Sequence, residues 1–422
     1  MAEQTFSLSS LSSRCPDRGL RSDGRLDPYW APLWDVGSSA VWLSRSNAER
    51  MVSAGLASPR RSELSRSVEQ ATRDIAHGVR RDQRLAALAV LGMWRTATVE
   101  QVASFVGSDK IALPRSVDRD VLWASGLVQR GQFISGMPRT SLPRLLRVSN
   151  TNDIDLLLSM LSYRDRIGVT AGQPWRWGSQ HDRHNLLAAE LGLRVAEYTQ
   201  AAAVFGEQLG FASLLNPAGN LRASGRAADM VIIRGDGLRI AVEMTANATD
   251  NVGSKIQRWV DVLTADRTGG LAVMFVEMPH PDRAEHVNRK LERQIVEATA
   301  TMGAAAANVP ARMMVARWQD WFPGYHQASS AFLSLSALRP TGRRAGKDRN
   351  ASVWEPVSVL DPFDLLFERP YPDAVSVLDN QQLLYGVPYW MRTGAGPIDR
   401  LDHAVLREAG FSDEPSRIAA SR

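Results

Sequence analysis

The feature of this sequence that most restricts its fold is a pair of short apolar segments joined by a glycine-rich turn. Asp229 opens the run Met-Val-Ile-Ile, the turn holds Gly235-Asp236-Gly237, and the run 238–245 carries Glu243 near its end. Apolar and β-branched residues on both sides of such a turn predict an antiparallel β-hairpin. The sequence therefore places one carboxylate at the start of the first strand and another near the end of the second.

The length of this turn decides where the two carboxylates point. If the turn is Gly235-Asp236-Gly237, Arg234 pairs with Leu238, and Asp229 lies opposite Glu243 on the same face. If the turn is the two-residue Asp236-Gly237, the acids lie on opposite faces. The pattern leaves both turns open. In the first case the carboxylates repel each other, and Mg²⁺, which prefers hard oxygen ligands, would hold them together.

Length and composition indicate a globular protein of several domains. At 422 residues the chain exceeds one ordinary hydrophobic core, and 44% hydrophobic with 23% charged residues is typical of folded proteins. No segment reaches the roughly 18 consecutive apolar residues of a membrane helix, and Met1–Ser13 has no apolar signal core. We therefore expect a soluble, cytoplasmic protein without a membrane partner. Cys15 is the single cysteine, which excludes internal disulfides and cysteine-based zinc sites.

Residues 81–150 have the element order of a small DNA-binding module. The patterns predict three helices and then two strands, at 85–94, 99–106, 115–125, 127–131 and 145–148. Thr98 is a predicted N-cap of the second helix, and Gly107 is predicted to end it. The order resembles the winged helix-turn-helix family, in which the third helix enters the major groove of DNA.

The winged-helix resemblance implies double-stranded DNA as the partner. The third helix would offer Arg115, Ser116 and Arg119, and the wing side would offer Arg130, Arg139 and Arg144 to phosphates. The net charge of +5 permits such binding without requiring it. Winged helices also serve protein contact or dimerisation, so an adaptor or a homodimer stays open at this point.

The segment 183–320 predicts a mixed sheet flanked by helices, with the hairpin at its centre. Its order of elements resembles the PD-(D/E)XK nucleases. In that family one acid begins the second strand, and a second acid and a lysine, two residues apart, end the third strand. Asp229 and Glu243 match the two acids, whereas Ala228 stands at the usual proline and Thr245 at the usual lysine.

The nuclease resemblance implies a magnesium site and a set of catalytic residues. Asp229, Glu243 and the Met244 carbonyl would hold Mg²⁺, if the domain is active. Lys255, in the following helix, would supply the charge missing at residue 245, and Glu190 matches an additional helical acid of the family. A structural alternative for Glu243 is a salt bridge to Arg239 or Arg258.

The whole arrangement resembles the replication-relaxation family of actinobacterial plasmids and integrative elements. The resemblance rests on the segments 181–187, 228–232 and 241–245. It implies a role in replication control or transfer of a mobile element.

The predicted fold class is a multidomain α+β or α/β protein: a winged helix-turn-helix followed by a PD-(D/E)XK-like sheet. The predicted segments are a partly disordered extension, the winged helix, a connector, the nuclease-like domain and a C-terminal extension with a basic flexible loop, at 1–80, 81–150, 151–182, 183–320 and 321–422. Because Thr245 replaces the lysine, the sequence favours a DNA-binding protein with a degenerate nuclease-like domain. The alternatives are an active Mg²⁺-dependent endonuclease, in transfer or defence, and a protein-interaction adaptor.

Overall fold

The structure is a computed structural model of mixed α/β character. It describes residues 4–30, 38–56, 64–134, 144–149, 154–176, 182–215, 227–246, 250–266, 269–278, 288–299, 308–343, 352–365, 378 and 381–392. The chain divides into two compact units. The helical unit comprises Arg14–Leu193 and Val375–Arg422, and the seven-strand unit comprises Met1–Ser13 and Arg194–Ala374.

Helices and strands are interspersed along the chain. The helices are α1 Arg45–Ser53, α2 Val68–His77, α3 Arg81–Trp94, α4 Val99–Val106, α5 Val117–Ala124, α6 Ile154–Ser159, α7 Tyr163–Thr170, α8 Asp182–Tyr198, α9 Ala212–Leu215, α10 Asp250–Ala265, α11 Asn288–Thr299, α12 Trp318–Trp321 and α13 Ser330–Leu333. The strands are β1 Thr5–Ser7, β2 Ser39–Leu43, β3 Thr96–Thr98, β4 Val128–Ile134, β5 Arg144–Val148, β6 Ala203–Gly206, β7 Met230–Ile233, β8 Arg239–Thr245, β9 Leu271–Glu277, β10 Met313–Arg317, β11 Gln327–Ser329, β12 Ser336–Arg343 and β13 Ser352–Ser358.

The helical unit contains the run α3, β3, α4, α5, β4, β5, and its strands form an antiparallel sheet in the order β2-β4-β5-β3. Helix α4 begins as its sequence predicts. The Thr98 hydroxyl accepts the Gln101 N–H at 3.1 Å, and the Gln101 side chain accepts the Thr98 N–H at 3.0 Å. Gly107 ends the helix with a φ of 80°. This reciprocal cap satisfies two N–H groups that the first helical turn leaves unpaired.

The described part of the predicted N-terminal extension contains strands β1 and β2 and helices α1 and α2. Strand β2 pairs with β4 over its whole length, from Ser39 opposite Ile134 to Leu43 opposite Arg130. Helix α2 packs against α5, with Ala71 and Ile75 fully buried. The sequence analysis did not predict α2, although its buried residues Ala71, Thr72, Ile75 and Ala76 follow a helical period.

The seven-strand unit holds a seven-stranded sheet in the order β13-β12-β10-β9-β8-β7-β6 and a two-stranded sheet of β1 and β11. The pairs β6–β7 and β7–β8 are antiparallel, whereas the pairs β8–β9 and β9–β10 are parallel. Every residue of β7, β8 and β9 is buried. The apolar run of β9 fits this position, because parallel strands are covered on both faces.

Described residues of the predicted C-terminal extension occur in both units. Strands β12 and β13 join the seven-stranded sheet through β10, and Arg339, predicted in a basic flexible loop, pairs within β12–β13 with Glu355 at 2.7 Å. Residues 344–350 of that loop lie outside the described residues. Farther along, the Trp94 indole donates to the Gly386 carbonyl at 3.0 Å, so this segment belongs to the helical unit.

Within the described residues, no helix is both long enough and apolar enough to cross a membrane.

Candidate active site

The hairpin β7–β8 has the three-residue turn. The Arg234 N–H donates to the Leu238 carbonyl at 2.9 Å, and the Gly237 N–H donates to the Arg234 carbonyl at 2.9 Å. Gly237 has a φ of 93°, a conformation that glycine adopts without a steric cost. Of the two turns that the sequence left open, the structure has the one that places both acids on the same face.

The register of the hairpin brings Asp229 and Glu243 to adjacent positions. Met230 lies opposite Val242, and the Asp229 N–H donates to the Val242 carbonyl at 3.0 Å. The side chain of Asp229 is 23% exposed and that of Glu243 is 1% exposed. One carboxylate therefore reaches solvent and the other is enclosed.

Lys255, one turn into helix α10, supplies the positive charge of the site. Its ammonium contacts Glu243 Oε2 and lies 3.7 Å from Asp229 Oδ2. The ammonium balances part of the negative charge of the two carboxylates, whose repulsion would otherwise raise the cost of placing them together. The structure thus brings together Asp229, Glu243 and Lys255, all three of which the sequence predicted for one site.

Two further hydrogen bonds fix the carboxylates. The Trp259 indole N–H donates to Glu243 Oε1 at 2.6 Å, and the Met244 N–H donates to Asp229 Oδ2 at 2.7 Å. Bonds to charged acceptors are the stronger class of hydrogen bond, so both side chains have defined orientations. These N–H donors orient one oxygen of each carboxylate, and the Lys255 ammonium contacts the second oxygen of Glu243, Oε2.

Sequence reasoning missed the role of Trp259. The stripe of Ile256, Trp259, Val260 and Leu263 has the spacing of an ordinary buried helix face, and all four are buried. The helical spacing of apolar residues indicates which side chains are buried, but it does not indicate what an indole N–H binds. The only available signal was that a Trp in a core needs an acceptor, and the nearest acidic strand residue was Glu243.

The electrostatic balance of the site raises the pKa of Glu243. Burial raises the pKa of this carboxyl to about 7; the Lys255 ammonium opposes the rise, and the Asp229 charge adds to it. The alternative partners that the sequence offered for Glu243 are engaged elsewhere. Arg239 donates to the Leu214 carbonyl at 2.9 Å, and Arg258 donates to the Ser254 carbonyl at 3.0 Å.

The donor set fits one hard divalent cation. Mg²⁺ is commonly bound through one or two carboxylates and completes its coordination with waters and substrate phosphates. Asp229 and Glu243 supply that number of carboxylates, with defined orientations. Among the described residues, no group of three or more acidic, histidine or cysteine side chains gathers in a metal-binding arrangement. A cation here would therefore depend on these two residues.

A second set of polar residues lies at the same end of the parallel strands. Thr245, Glu277 and Arg317 are aligned across β8, β9 and β10. Arg317 lies 3.7 Å from Glu277 and 3.5 Å from Glu292. Burial raises the pKa of Glu277 to about 8, and the charge of Arg317 opposes this. The sequence analysis did not single out Glu277.

Glu190 is bound by neighbours within the helical unit. It belongs to the helical unit, where its fully buried carboxylate forms an ion pair with Arg25 at 3.2 Å and accepts the Gln101 side-chain N–H at 3.2 Å. The predicted catalytic role relied on the preceding helix facing the hairpin. Because the carboxylate is bound by Arg25 and Gln101, we do not include Glu190 in the site.

The predicted DNA contacts fall into two groups. Ser116 is buried as the N-cap of α5, where its hydroxyl accepts the Arg119 N–H at 3.3 Å. Arg119 is buried and donates to the Pro114 carbonyl at 3.0 Å. These two side chains are committed to capping the helix and closing the preceding turn, so the prediction that they face DNA does not fit their positions.

The remaining predicted contacts are accessible or lie outside the described residues. Arg115 is exposed, and the side chains of Arg130 and Arg144 are 26% and 39% exposed. Arg139 lies outside the described residues. The accessible basic groups are therefore in the turn before α5 and on the two strands after it.

Comparison with protein-family models, with curated proteins and with solved structures found no match for this chain.

Proposed function

We propose that the seven-strand unit is a Mg²⁺-dependent nuclease that hydrolyses DNA phosphodiesters. The observation that carries the proposal is the contact of the Lys255 ammonium with Glu243 and its 3.7 Å approach to Asp229. Thr245 in the usual lysine position favoured a silent domain. A lysine that reaches the same two acids from the following helix supplies the missing charge.

The order of elements supports the proposal. Helix α8, strands β6, β7 and β8, helix α10 and strand β9 follow one another as in the PD-(D/E)XK resemblance. The first acid immediately precedes the second of these strands, and the second acid lies two residues from the end of the third. Sequence spacing and strand register agree on the same two residues.

Each residue of the site has a chemical role in this proposal. Asp229 and Glu243 hold the cation, and Trp259 and the Met244 N–H keep the two carboxylates oriented. A bound Mg²⁺ would polarise the phosphodiester and lower the pKa of the attacking water. Lys255 stabilises the negative charge that develops on the phosphate oxygens.

The helical unit supports DNA as the substrate. Its run α3, β3, α4, α5, β4, β5 is the order of a winged helix-turn-helix, with β2 added at one edge of the sheet. We propose that this unit binds double-stranded DNA. The resemblance to the replication-relaxation family then suggests replication control or transfer of a mobile element as the setting.

The test is cleavage of supercoiled plasmid with Mg²⁺ or Mn²⁺. We expect the wild type to nick the plasmid and Glu243→Ala and Lys255→Gln to lose at least about 100-fold in rate, the size of a lost charge-stabilising group. Asp261→Asn and Arg258→Gln are matched controls, because both side chains are on α10 and neither contacts the acids. Equal rates in the wild type and Glu243→Ala would contradict nuclease activity.

A second candidate is DNA binding without cleavage. It is favoured by Thr245 and by the Lys255 ammonium, which already compensates the two carboxylates without a metal. In that case the wild type binds DNA and shows the same cleavage background as Glu243→Ala with both metals.

A further inference from the structure

Helix α5, which would be the reading helix of a winged module, presents little polar surface. Six of its 8 residues are buried: Asp118, Arg119, Val121, Leu122, Trp123 and Ala124. Its accessible side chains are Val117, 49% exposed, and the half-buried Asp120. A valine and a carboxylate do not supply the hydrogen-bond donors that read guanine, and the carboxylate repels phosphates.

The N-terminal segment covers this helix. The Trp123 indole donates to the Leu43 carbonyl at 3.0 Å, and the Arg45 guanidinium contacts the Ala124 carbonyl. Asp118 is held on the other side by Arg80 at 3.1 Å and Arg84 at 2.9 Å. These contacts keep α5 inside the helical unit and out of reach of a DNA groove.

Basic side chains gather beside α5 instead. Arg119 and Arg144 both donate to the Leu113 carbonyl, at 2.5 and 3.2 Å, so two guanidinium groups converge on one oxygen. Arg144 also donates to the Ala112 carbonyl at 2.5 Å. The strand β5 is thereby tied to the turn that precedes α5.

Three more basic groups complete this surface. Arg130 lies on the same sheet face as Arg144, because Gln132 is the residue opposite Arg144. The exposed Lys110 and Arg115 flank the Ala112–Pro114 turn. We name Lys110, Arg115, Arg130 and Arg144 the basic patch.

The patch has acidic neighbours, but it carries more basic groups than acidic ones. Arg130 pairs with Asp120 at 2.5 Å, and Arg144 lies 3.8 Å from Glu100. Burial lowers the pKa of Arg119 to about 10, and the positive charges of Arg144 and Arg130 lower it further. The basic groups outnumber these carboxylates, and an anion would relieve the repulsion among them.

We propose that the helical unit holds double-stranded DNA by its phosphates through the basic patch, and that this binding is independent of base sequence. The inference rests on DNA as the partner in the proposed function. It concerns the helical unit alone, and it does not require cleavage or a metal.

The test is fluorescence anisotropy of the full chain with short duplexes of unrelated sequence, in EDTA. We expect dissociation constants within about threefold of each other, whereas specific binding exceeds non-specific binding by about 10³-fold or more. The logarithm of affinity should fall linearly with the logarithm of salt concentration. The double variant Lys110→Ala/Arg115→Ala should make this slope shallower by about 2, since each phosphate contact contributes about 0.9 to its magnitude.

Three variants make the outcome decisive. Arg73→Ala removes one exposed arginine of α2, outside the patch, and should leave the slope unchanged. Arg144→Gln tests the wing side, with circular dichroism to verify that the fold is retained. Asp261→Asn, in the seven-strand unit and outside the candidate site, should bind as the wild type does. Because binding is measured in EDTA, a failure of cleavage and a failure of binding are distinguishable. A duplex bound more than about 100-fold more tightly than the others, an unchanged slope in the double variant, or no binding at low salt would each overturn the proposal.

Discussion

Glu243 is the residue on which the chemistry of the site depends, because an enclosed carboxyl group is ionised only at a cost. Its three neighbours act in different directions: Lys255 and Trp259 stabilise the anion, whereas Asp229 opposes it. Asp229, Glu243 and Lys255 were predictable from the sequence. The two acids lie in a predicted hairpin, and the lysine lies in the helix that follows it. Trp259 was not predictable, because its spacing matches the buried stripe of any amphipathic helix.

The raised pKa of Glu243 predicts a specific pH dependence of stability. The carboxyl has a pKa of about 7 in the folded protein and an ordinary value of 4.5 when unfolded. The folded state therefore holds the proton more tightly, and stability falls as pH rises from 4.5 to about 7. We expect the free energy of unfolding of the wild type, relative to Glu243→Gln, to fall across this range and to level off above it. Urea unfolding at several pH values measures this; a difference that is constant with pH would contradict the assigned burial.

Removal of Lys255 should destabilise the fold more at high pH than at low pH. At about pH 5 Glu243 is protonated and needs no cation, whereas at about pH 8.5 it is ionised and paired. Lys255→Met leaves a buried acid without this partner. We expect the loss in free energy of unfolding to be about 1–3 kcal/mol larger at the higher pH. This is below the range for fully buried pairs, because the lysine is partly exposed. Arg258→Met is the control, measured by the same urea titrations. An equal cost at both pH values would show that the pair is unimportant.

At the scale of elements, the hairpin turn decides whether the site exists. The predicted helices and strands of the core agree with the structure because their apolar runs are long and their caps are strong, as at Thr98 and Gly107. The turn was ambiguous, since Asp-Gly and Gly-Asp-Gly both occur in hairpins. What decides it is the tertiary fit, because only one register buries Glu243 beside Lys255.

The turn makes a matched pair of glycine variants available. Gly237 has a φ of 93°, and Gly237→Ala should cost about 1–2 kcal/mol, the penalty of a left-handed conformation. Gly235 has ordinary backbone geometry, and nothing lies within 4 Å of an added Cβ, so Gly235→Ala should leave stability nearly unchanged. Urea unfolding compares the two. An equal loss in both variants would contradict the three-residue turn.

At the scale of the whole molecule, the division of the chain is what the sequence predicted least well. The predicted boundaries were drawn as consecutive segments, but each unit combines residues from distant parts of the chain. The composition of a segment does not indicate that it packs with residues from a distant part of the chain. The segment 381–392 has little periodicity of its own. It contributes buried apolar side chains, such as Leu384 and Val387, and hydrogen bonds to Trp94 and Asp165.

Because the residues after Ala374 belong to the helical unit, we predict that they stabilise it. Truncation after Ala374 removes the acceptor of the buried Trp94 indole and the Tyr385 hydroxyl, which donates to Asp165 at 2.8 Å. We expect the thermal midpoint of the helical unit to fall by at least about 5 °C, the effect of losing a few kcal/mol. Tyr385→Phe, which removes one hydrogen bond, should cost about 1 kcal/mol. An unchanged midpoint after truncation would show that the segment does not stabilise this unit.

The most direct measurement is the binding of Mn²⁺ to the full chain without DNA, followed by electron paramagnetic resonance. Mn²⁺ accepts the same oxygen ligands as Mg²⁺, and its free and bound forms give different signals. We expect one site in the wild type and in Asp261→Asn, with affinity lost or strongly reduced in Asp229→Asn and Glu243→Gln. Equal Mn²⁺ binding in the wild type and Glu243→Gln, or no binding by the wild type, would contradict a cation site at the two carboxylates.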